Sequence, residues 1–563
     1  MIKKEIISAQ IETSFKFLGF TPRGNQSQIV FDVLDSFLNK GKRNVVLGAP
    51  TGIGKSVIGA VVSNALFCLT PNPQEDIPAI ISMGTNVLAH QYYDSFSELE
   101  KYEVFQIKGA SNYPCNFMKS QPMPSSETAE DCARSKLHPT EVAAHCNGCE
   151  YDAAKKLINI SRILITNYSY FMISMMATGH LKPRLLHVFD EAHLLNDIFC
   201  NYTEILVSVQ NIEKYIKELN DTDTKCEDYI AGLVMLRKQL ETNNIGDNNY
   251  KQVLEILQKL YFEITMVLSN RAKELEKTDV VKSVKLSKLS RKYDGLSGKI
   301  RDFFDNDYEH VFDNEIQNLP NAFSVKTIFV GKMIDRLLTT YNLFMSATIT
   351  KQFSFDTLSL KDEETQFIEV DPVFPKENKP ILFLGKQALN YNVMKLPETI
   401  EDLKAQVKTI VNFHGEEKGL VFVPSFFLGS QLARAVGHKT RVFEHKSGMN
   451  LPELVRDFKG YKGSSILISP SIFEGLDFKG DVSRYQIIVK SPYPSLGDKR
   501  IKYISNYYPH IYAEMTLLKI LQGIGRSVRS PEDYAVTYCL DASTRKLYES
   551  KSNIWKSHYT VKN

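Results

Sequence analysis

Residues Asn44 to Ser56 read NVVLGAPTGIGKS, and this stretch decides the fold and chemistry that the sequence predicts. The segment from Asn44 to Leu47 is a short apolar run typical of a strand. The run from Val57 to Leu69 has the apolar content and length of a helix. A strand, a glycine-rich loop and a helix in this order predict a phosphate-binding loop.

The chemistry of such a loop depends on its backbone. Its amides, together with the positive end of the following helix, suit a triphosphate. Lys55 would reach the terminal phosphates, and the Ser56 hydroxyl would bind Mg²⁺. Ala49 stands where the general pattern has its first glycine. An ordinary tight turn is the alternative, but the flanking strand and helix favour phosphate binding.

The composition describes a globular chain of several domains, with 563 residues, 43% hydrophobic and 24% charged. The 68 basic residues nearly balance the 65 acidic ones, so any nucleic-acid binding must come from local patches. Eight cysteines are too few for a disulfide scaffold of this size. The N-terminal stretch lacks the apolar segment of a secretory signal, and no run of 18 uncharged apolar residues occurs. We therefore expect an intracellular, cytoplasmic protein without a membrane partner.

Acidic residues follow a second apolar run, from Leu185 to Phe189, as Asp190-Glu-Ala-His193. Asp190 can hold Mg²⁺, and Glu191 can polarise the water that attacks the terminal phosphate. The alternative is a helix N-terminus that carries acids which stabilise its dipole. The small polar turn from Ser346 to Thr348 follows another apolar run and says little by itself.

Near the C-terminus, residues 522–529 read QGIGRSVR. If this segment is helical, Gln522, Gly525, Arg526 and Arg529 lie on nearly one face. The two guanidinium groups could then stabilise charge on the transferred phosphate, provided that this face meets Lys55. A solvated basic helix face is the alternative, but it leaves Gln522 and two glycines unexplained.

Four cysteines cluster between the segment Thr85 to Gln91 and the acidic motif that begins at Asp190: Cys115, Cys132, Cys146 and Cys149. In an intracellular protein such a cluster indicates a metal site rather than disulfides. Spacing alone does not choose between zinc and an iron-sulfur cluster, since both accept four thiolates. His138 and His145 keep a mixed zinc site open.

Seven motifs, taken together, resemble those of superfamily 2 helicases, specifically of the XPD/DinG branch. In chain order they are Arg23 with Gln26, Ala49 to Ser56, Thr85 to Gln91, Asp190 to His193, Ser346 to Thr348, Glu474 to Asp477, and Gln522 to Arg529. The resemblance spans residues 23 to 529. The segment from Phe473 to Phe478 is similar to that branch's own fifth motif.

The resemblance implies an α/β fold of two RecA-like parallel-sheet domains, with ATP in the cleft between them. The implied ATP-binding residues are Arg23, Gln26, Ala49, Pro50, Thr51, Gly52, Ile53, Gly54, Lys55, Ser56 and Asp477. The implied catalytic residues are Lys55, Asp190, Glu191, Gln522, Arg526 and Arg529, with Ser56 and Asp190 as Mg²⁺ ligands. Residues implied to grip single-stranded backbone are Thr85, Gln91, Ser425 and Glu474, and family members move 5' to 3'.

The same resemblance favours a 4Fe-4S cluster over zinc for the four cysteines, because XPD-like helicases carry one at this place. Tyr113 and Phe117 are candidates for the strand-separating region, or for packing against the cluster. Between His193 and Ser346, about 150 residues exceed what one strand-helix step requires. The apolar spacing there is helical and resembles the Arch domain of the family. Lys282, Lys285, Lys288 and Lys292 would share one helical face, which either grips phosphates or is merely solvated.

The expected domain organisation follows from these intervals. Residues 1–104, 151–198 and 321–370 form the first RecA-like domain, interrupted by an iron-sulfur insertion at 105–150 and a helical Arch-like insertion at 199–320. Residues 371–563 form the second RecA-like domain. We expect an ATP-dependent DNA helicase that acts on single-stranded and forked DNA. Two alternatives stay open: a translocase that remodels without separating strands, and a non-enzymatic scaffold that binds ATP and a metal.

Overall fold

The computed structural model describes residues 1–50, 52–70, 79–96, 98–100, 103–120, 128–131, 146–178, 181–372, 374–436, 440–473, 478, 480–528, 530–551 and 559–562. Several residues that the sequence singles out lie outside these ranges: Thr51, Cys132, His138, His145, Glu474, Asp477 and Arg529.

The secondary structure of the described residues alternates strands and helices. The α-helices α1 to α20 are, in chain order, Lys4–Phe17, Gln26–Leu38, Lys55–Leu69, Asn86–Asp94, Asn116–Lys119, Glu150–Ile158, Tyr168–Ile173, Leu195–Thr203, Val209–Asn220, Glu227–Glu241, Tyr250–Glu274, Val280–Asn306, Gly331–Leu337, Lys351–Leu358, Pro397–His414, Phe426–Ala435, Leu451–Gly460, Lys499–Tyr507, Pro509–Ile524 and Ala542–Ser550. The strands β1 to β17 are Asn44–Gly48, Ala79–Met83, Val104–Gln106, Ile163–Asn167, Leu186–Asp190, Ile205–Ser208, His310–Asp313, Ala322–Thr327, Tyr341–Ser346, Thr365–Glu369, Pro380–Phe383, Lys418–Phe422, Arg441–Glu444, Ser465–Ser469, Tyr485–Ile488, Val536–Cys539 and Thr560–Lys562.

The first domain is built on a parallel sheet with strand order β10-β1-β9-β5-β2-β4-β3. Its inner strands are almost completely buried because helices cover both faces. In β1, for example, Val45 and Leu47 enter one core while Val46 enters the other. The register pairs Gly48 with Ser346 and Asp190 with Met345. The C-terminal ends of β1, β9 and β5 therefore lie side by side, which is where open parallel sheets bind ligands.

The second domain repeats this plan with strand order β13-β14-β12-β15-β16-β11-β17, again all parallel. Leu420 and Phe422 of β12 face one core, and Val421 faces the other. The expectation of two RecA-like parallel-sheet domains is confirmed.

The long insertion after His193 contains the helices α9 to α12, of which α11 and α12 pack along each other. Their apolar stripes meet around Leu257, Ile264 and Tyr293, which are almost completely buried. The insertion also has a three-stranded antiparallel sheet, β6-β8-β7, that the helical pattern did not predict. These strands are four to six residues long, so their period is hard to read from sequence.

One helical hairpin of the second domain, α18 with α19, packs against both domains. Ile504, Ile511 and Leu518 are buried in a core of the first domain. Leu517 and Ile520, on the opposite side of α19, are buried in the second. The two domains are thus joined by an apolar interface as well as by the chain. Among the described residues, no helix combines the length and the apolar character needed to cross a bilayer.

Candidate nucleotide site and the contacts around it

The phosphate-binding loop joins β1 to α3, as the sequence predicts. Ala49 is fully buried, and its amide donates to the Ser346 carbonyl at 2.9 Å. Gly52 and Gly54 have φ angles of +91° and +80°, in a region that side chains disfavour. A Cβ on Gly52 would lie 2.4 Å from the ring of Phe374, so glycine is required there on two grounds.

The Gln26 side chain fixes this loop from α2. Its Oε1 accepts from the Arg23 amide at 2.8 Å, and its Nε2 donates to the Ile53 carbonyl at 2.7 Å. A Cβ on Gly54 would lie 2.5 Å from Gln26 Nε2, so the approach is close. Gln26 is therefore placed to hold the loop, while Arg23 is exposed beside it.

The predicted catalytic groups of the first domain come together at the strand ends. Lys55 begins α3, and its Nζ lies 3.5 Å from the Ala49 carbonyl and 4.0 Å from Glu191 Oε1. Glu191 has a φ angle of +55°, which is uncommon for a residue with a side chain and turns the carboxylate toward Lys55. Asp190 is buried at the end of β5, and its backbone carbonyl accepts from the Tyr168 hydroxyl at 2.6 Å.

Burial and, to a smaller extent, the neighbouring Glu191 carboxylate together raise the pKa of Asp190 to about 7, against the opposing effect of Lys55. A divalent cation would favour the ionised form of this carboxyl, since the positive charge offsets the cost of burial. The Ser56 side chain is only partly buried, at the start of the same helix. Lys55, Ser56, Asp190 and Glu191 thus fit a Mg²⁺-bound triphosphate in the chemistry of their groups.

A polar network crosses from the first domain to the second. His193 Nδ1 lies 2.8 Å from Ser346 Oγ and 3.4 Å from Glu191 Oε2. Gln522, from α19, places its Nε2 2.5 Å from His193 Nε2 and 3.5 Å from Thr348 Oγ1. The Thr348 amide donates to Ser346 Oγ at 3.1 Å. The turn from Ser346 to Thr348, which predicted no function by itself, therefore lies where the acidic motif contacts the second domain.

The segment of residues 522–529 differs from the helical expectation. The helix α19 ends at Ile524, and Gly525 follows as its cap, so Arg526 lies beyond the helix. A Cβ on Gly523 would lie 2.7 Å from the Phe473 ring, which explains the need for a small residue there. Arg526 Nε donates to the Phe473 carbonyl at 2.9 Å, which anchors Arg526 to the start of the segment containing Glu474. Arg529 and Asp477 are outside the described residues.

The residues predicted to hold nucleic-acid backbone occupy matching places in the two domains. Thr85 caps α4 after β2, and Ser425 caps α16 after β12; each side chain accepts from an amide three residues on, at 3.3 Å. Both residues are exposed, as is Gln91. This equivalence fits a single strand of nucleic acid that runs across both domains. The contacts with nucleic acid themselves stay predictions.

The predicted basic face lies on α12, where its lysines meet acids of neighbouring segments. Lys282 pairs with Asp223, and Lys288 pairs with Glu130 at 3.4 Å. Lys292, on the same face, pairs with Glu218 at 2.5 Å, whereas Lys285 is exposed. These pairs neutralise part of the charge that phosphate binding would use.

Two cysteines of the cluster, Cys115 and Cys146, lie near the start of α12. Cys115 and Cys146 both pack against Phe117 and Val284, which brings together segments 31 residues apart in the chain. The Cys149 amide donates to the Cys146 carbonyl at 3.2 Å. Within the described part of the chain, no group of three or more His, Cys, Asp or Glu side chains is arranged to hold a metal ion. The proximity of Cys115 to Cys146 is compatible with shared ligation, but it does not choose a metal.

Some residues of the site carry no readable signal in the sequence. Tyr168 supports Asp190 through its hydroxyl, and Tyr92 donates through its hydroxyl to the Ser56 carbonyl. Phe374 covers Gly52 and packs against Val528, which belongs to the segment of residues 522–529. With 27 tyrosines and 32 phenylalanines in the chain, aromatic residues could not be selected without the fold.

Comparison with known proteins finds similarity in sequence over part or most of the chain and similarity in fold over nearly all of it. Residues 408–557 match the helicase C-terminal domain family. A Staphylococcus saprophyticus protein named 3'-5' exonuclease DinG is 21% identical over 39% of this chain and 25% of its own length. A Staphylococcus aureus protein of the same name is 19% identical over 96% of this chain and 70% of its own length.

Two solved structures share the fold. An XPD helicase structure has a TM-score of 0.62 and 16% identity, and covers 96% of this chain and 99% of its own. The structure of S. tokodaii Xpd4 has a TM-score of 0.58 and 17% identity, and covers 96% of this chain and all of its own. The likeness covers nearly the whole of each chain and shows a shared fold.

Proposed function

We propose that this XPD/DinG-like superfamily 2 protein is an ATP-dependent DNA helicase, which moves along single-stranded DNA as ATP hydrolysis opens and closes the cleft between its two domains. The observation that carries this proposal is the contact of Gln522, in the second domain, with His193, next to Lys55 and Glu191 in the first. Chemistry at the phosphate loop and movement of the second domain are thereby linked through a few hydrogen bonds.

In the proposed reaction, Lys55 binds the terminal phosphates of ATP. Ser56 and Asp190 would hold Mg²⁺, which would supply positive charge against the phosphates. Glu191 orients the attacking water and accepts its proton. Arg526 and Arg529, from the second domain, stabilise charge on the transferred phosphate. Closure of the cleft brings these arginines into reach, so hydrolysis depends on the domain arrangement.

The proposed DNA path runs over the exposed helix starts at Thr85 and Ser425 and the exposed Gln91. Glu474, which lies outside the described residues, is included from the family resemblance. Support comes from the equivalent placement of the two caps in the two domains. The proposed 5' to 3' direction rests on the family resemblance. Single-stranded and forked DNA are the proposed substrates, and the proposed intracellular location rests on the cysteine content and the N-terminal sequence. Lys282, Lys285 and Lys288 would add contacts to phosphates.

We further propose that Cys115, Cys132, Cys146 and Cys149 bind a 4Fe-4S cluster, with zinc as the alternative. The packing of Cys115 and Cys146 on one small apolar cluster supports a shared site. The exonuclease activity in the name of the staphylococcal relatives is not part of this proposal, which rests on the phosphate loop and the contacts across the cleft.

The test is ATP hydrolysis by the full chain with and without single-stranded DNA. Lys55→Ala should abolish hydrolysis while strand binding persists, and Lys40→Ala, an exposed lysine paired with Asp35, should behave as the parent. Stimulation by DNA without separation of a forked duplex would favour the translocase alternative. A Lys55→Ala protein that hydrolyses ATP at the parental rate would refute the assignment of the site.

A further inference from the structure

A buried arginine joins the α18–α19 hairpin of the second domain to the first domain. The Arg500 residue is 7% exposed, and its guanidinium donates hydrogen bonds to the first domain. Nε and one terminal nitrogen donate to the Ile328 carbonyl at 3.2 and 3.1 Å, and the other terminal nitrogen donates to Asp197 Oδ1 at 3.1 Å. A planar guanidinium suits this fork, since its donors have fixed directions.

The partners of Arg500 belong to segments that matter for the nucleotide site. Asp197 lies in α8, which directly follows the acidic motif that ends at His193. Ile328 follows β8, a strand of the insertion's antiparallel sheet. The Arg500 side chain therefore contacts both the helix that follows the acidic motif and the base of the insertion.

The neighbours of Arg500 repeat the same connection. Lys499 pairs with Asp313 of β7 at 3.5 Å, and Asp498 pairs with Lys326 of β8 at 3.0 Å. The hydroxyls of Tyr503 and Tyr508 donate to Glu309, each at 3.0 Å. These contacts are more exposed than those of Arg500 and contribute less each, because solvent screens them.

The face of α19 that meets the first domain ends at Gln522. Ile511, Met515, Leu518 and Gln522 follow one another at spacings of four, three and four, so they share one helical face. Ile511 and Leu518 are buried against the first domain, and Gln522 continues the same row with a polar group at His193. Because α18 precedes α19 directly, the position of α18 on the first domain determines where this face of α19 lies. It therefore also determines where the Gln522 side chain lies.

We propose that Arg500 is a positioning residue for ATP hydrolysis: by binding Asp197 and the Ile328 carbonyl, it holds the α18–α19 hairpin on the first domain so that Gln522 meets His193. The inference rests on the proposed function, since it concerns the same reaction. Arg500 contacts neither the phosphate loop nor Lys55 in the described contacts, and it acts through Gln522. Movements of the insertion would therefore be transmitted to the nucleotide site through Arg500 and Gln522.

The experiment compares Arg500→Lys with the parent full-length chain in steady-state ATP hydrolysis, with saturating oligo(dT) as the single strand. Lysine keeps the charge but loses the fork, so kcat should fall by about tenfold while KM for ATP changes by less than about threefold. Arg545→Lys is the matched control, because Arg545 pairs with Glu549 on an exposed surface of the same domain. It should have parental kcat and KM.

Coupling to Gln522 separates positioning from a merely structural role. If Arg500 acts through Gln522, adding Arg500→Lys to Gln522→Ala should lower kcat little beyond the Gln522→Ala value. If the two losses multiply fully, the proposal is overturned. Parental kcat in Arg500→Lys would overturn it as well.

A second variant covers the case in which Arg500→Lys does not fold. Asparagine has the shape of aspartate, so Asp197→Asn removes only the charge. Because Asp197 is half-exposed, the variant should fold. Its kcat should fall by about threefold without a matching change in KM, and an unchanged kcat would contradict the proposal. A parent chain without ATP hydrolysis would refute the proposed function itself, whereas an active parent with unaffected variants would refute this inference alone.

Discussion

Replacement of Gln522 by alanine tests whether the two domains communicate through His193. The parent amide donates to His193 Nε2 at 2.5 Å and approaches Thr348 Oγ1 at 3.5 Å. With Nε2 as the acceptor, His193 Nδ1 carries the proton and faces Ser346 Oγ at 2.8 Å. The variant removes the donor and leaves the rest of the network in the first domain.

The magnitude follows from the burial of His193, whose side chain is 9% exposed. The net contribution of one hydrogen bond to stability is about 1 kcal/mol. A buried polar group that loses its hydrogen-bond partner destabilises the structure by about 1–3 kcal/mol. The 3.5 Å contact to Thr348 adds little, since it is at the limit of a hydrogen bond. Closure of the cleft should therefore weaken by about 1–3 kcal/mol, which corresponds to about 5- to 150-fold.

The assay is the rate of ATP hydrolysis with and without single-stranded DNA. We expect the DNA-stimulated kcat of Gln522→Ala to fall within that range, while ATP binding persists because the loop around Lys55 is unchanged. Gln406→Ala is the control, since Gln406 pairs only with Asp402 in the described contacts of α15. A Gln522→Ala protein with parental DNA-stimulated kcat would refute the reasoning.

Three further predictions concern other parts of the chain. Gly52→Ala should raise KM for ATP by more than about tenfold, because the left-handed backbone and the Phe374 ring leave no room for a methyl group; an unchanged KM would count against the loop geometry. Burial lowers the pKa of Lys379 to about 8, so the folded state loses its proton first and the free energy of unfolding should rise between pH about 8 and about 10.5. Urea titrations should find that rise in the parent and not in Lys379→Met. Cys115→Ser should remove iron, sulfide and visible colour from protein purified without oxygen, whereas zinc without colour in the parent would select the alternative metal.

Much of the nucleotide site could be predicted because its geometry is local. The loop from Ala49 to Ser56 needs glycine at two left-handed positions, and this requirement is visible in the sequence. Asp190 and Glu191 follow an apolar strand directly, so their place at a sheet edge could also be expected. The second domain was predicted only from the order of motifs, since each of its motifs is short.

Contacts between distant segments could not be predicted from local pattern. Arg500 looks like any lysine- or arginine-rich helix start, and only the fold buries it against Asp197. The helical expectation for residues 522–529 failed at Gly525 because Phe473 packs on Gly523 and anchors Arg526 outside the helix. Tertiary packing decided both cases.

The antiparallel pairing of β6 with β8 has a consequence for how this chain can change in length. Ser208 pairs with Ala322, so the polypeptide leaves and re-enters the first domain on neighbouring strands, about 4.8 Å apart. A segment closed at its base in this way can be shortened, enlarged or exchanged without shifting the register of the parallel sheet. A graft should retain β7, because Asp313 receives Lys499 from the second domain. Natural variation among relatives of this chain, and deliberate replacement in the laboratory, should both concentrate between residues 209 and 308, because Glu309 accepts hydrogen bonds from Tyr503 and Tyr508.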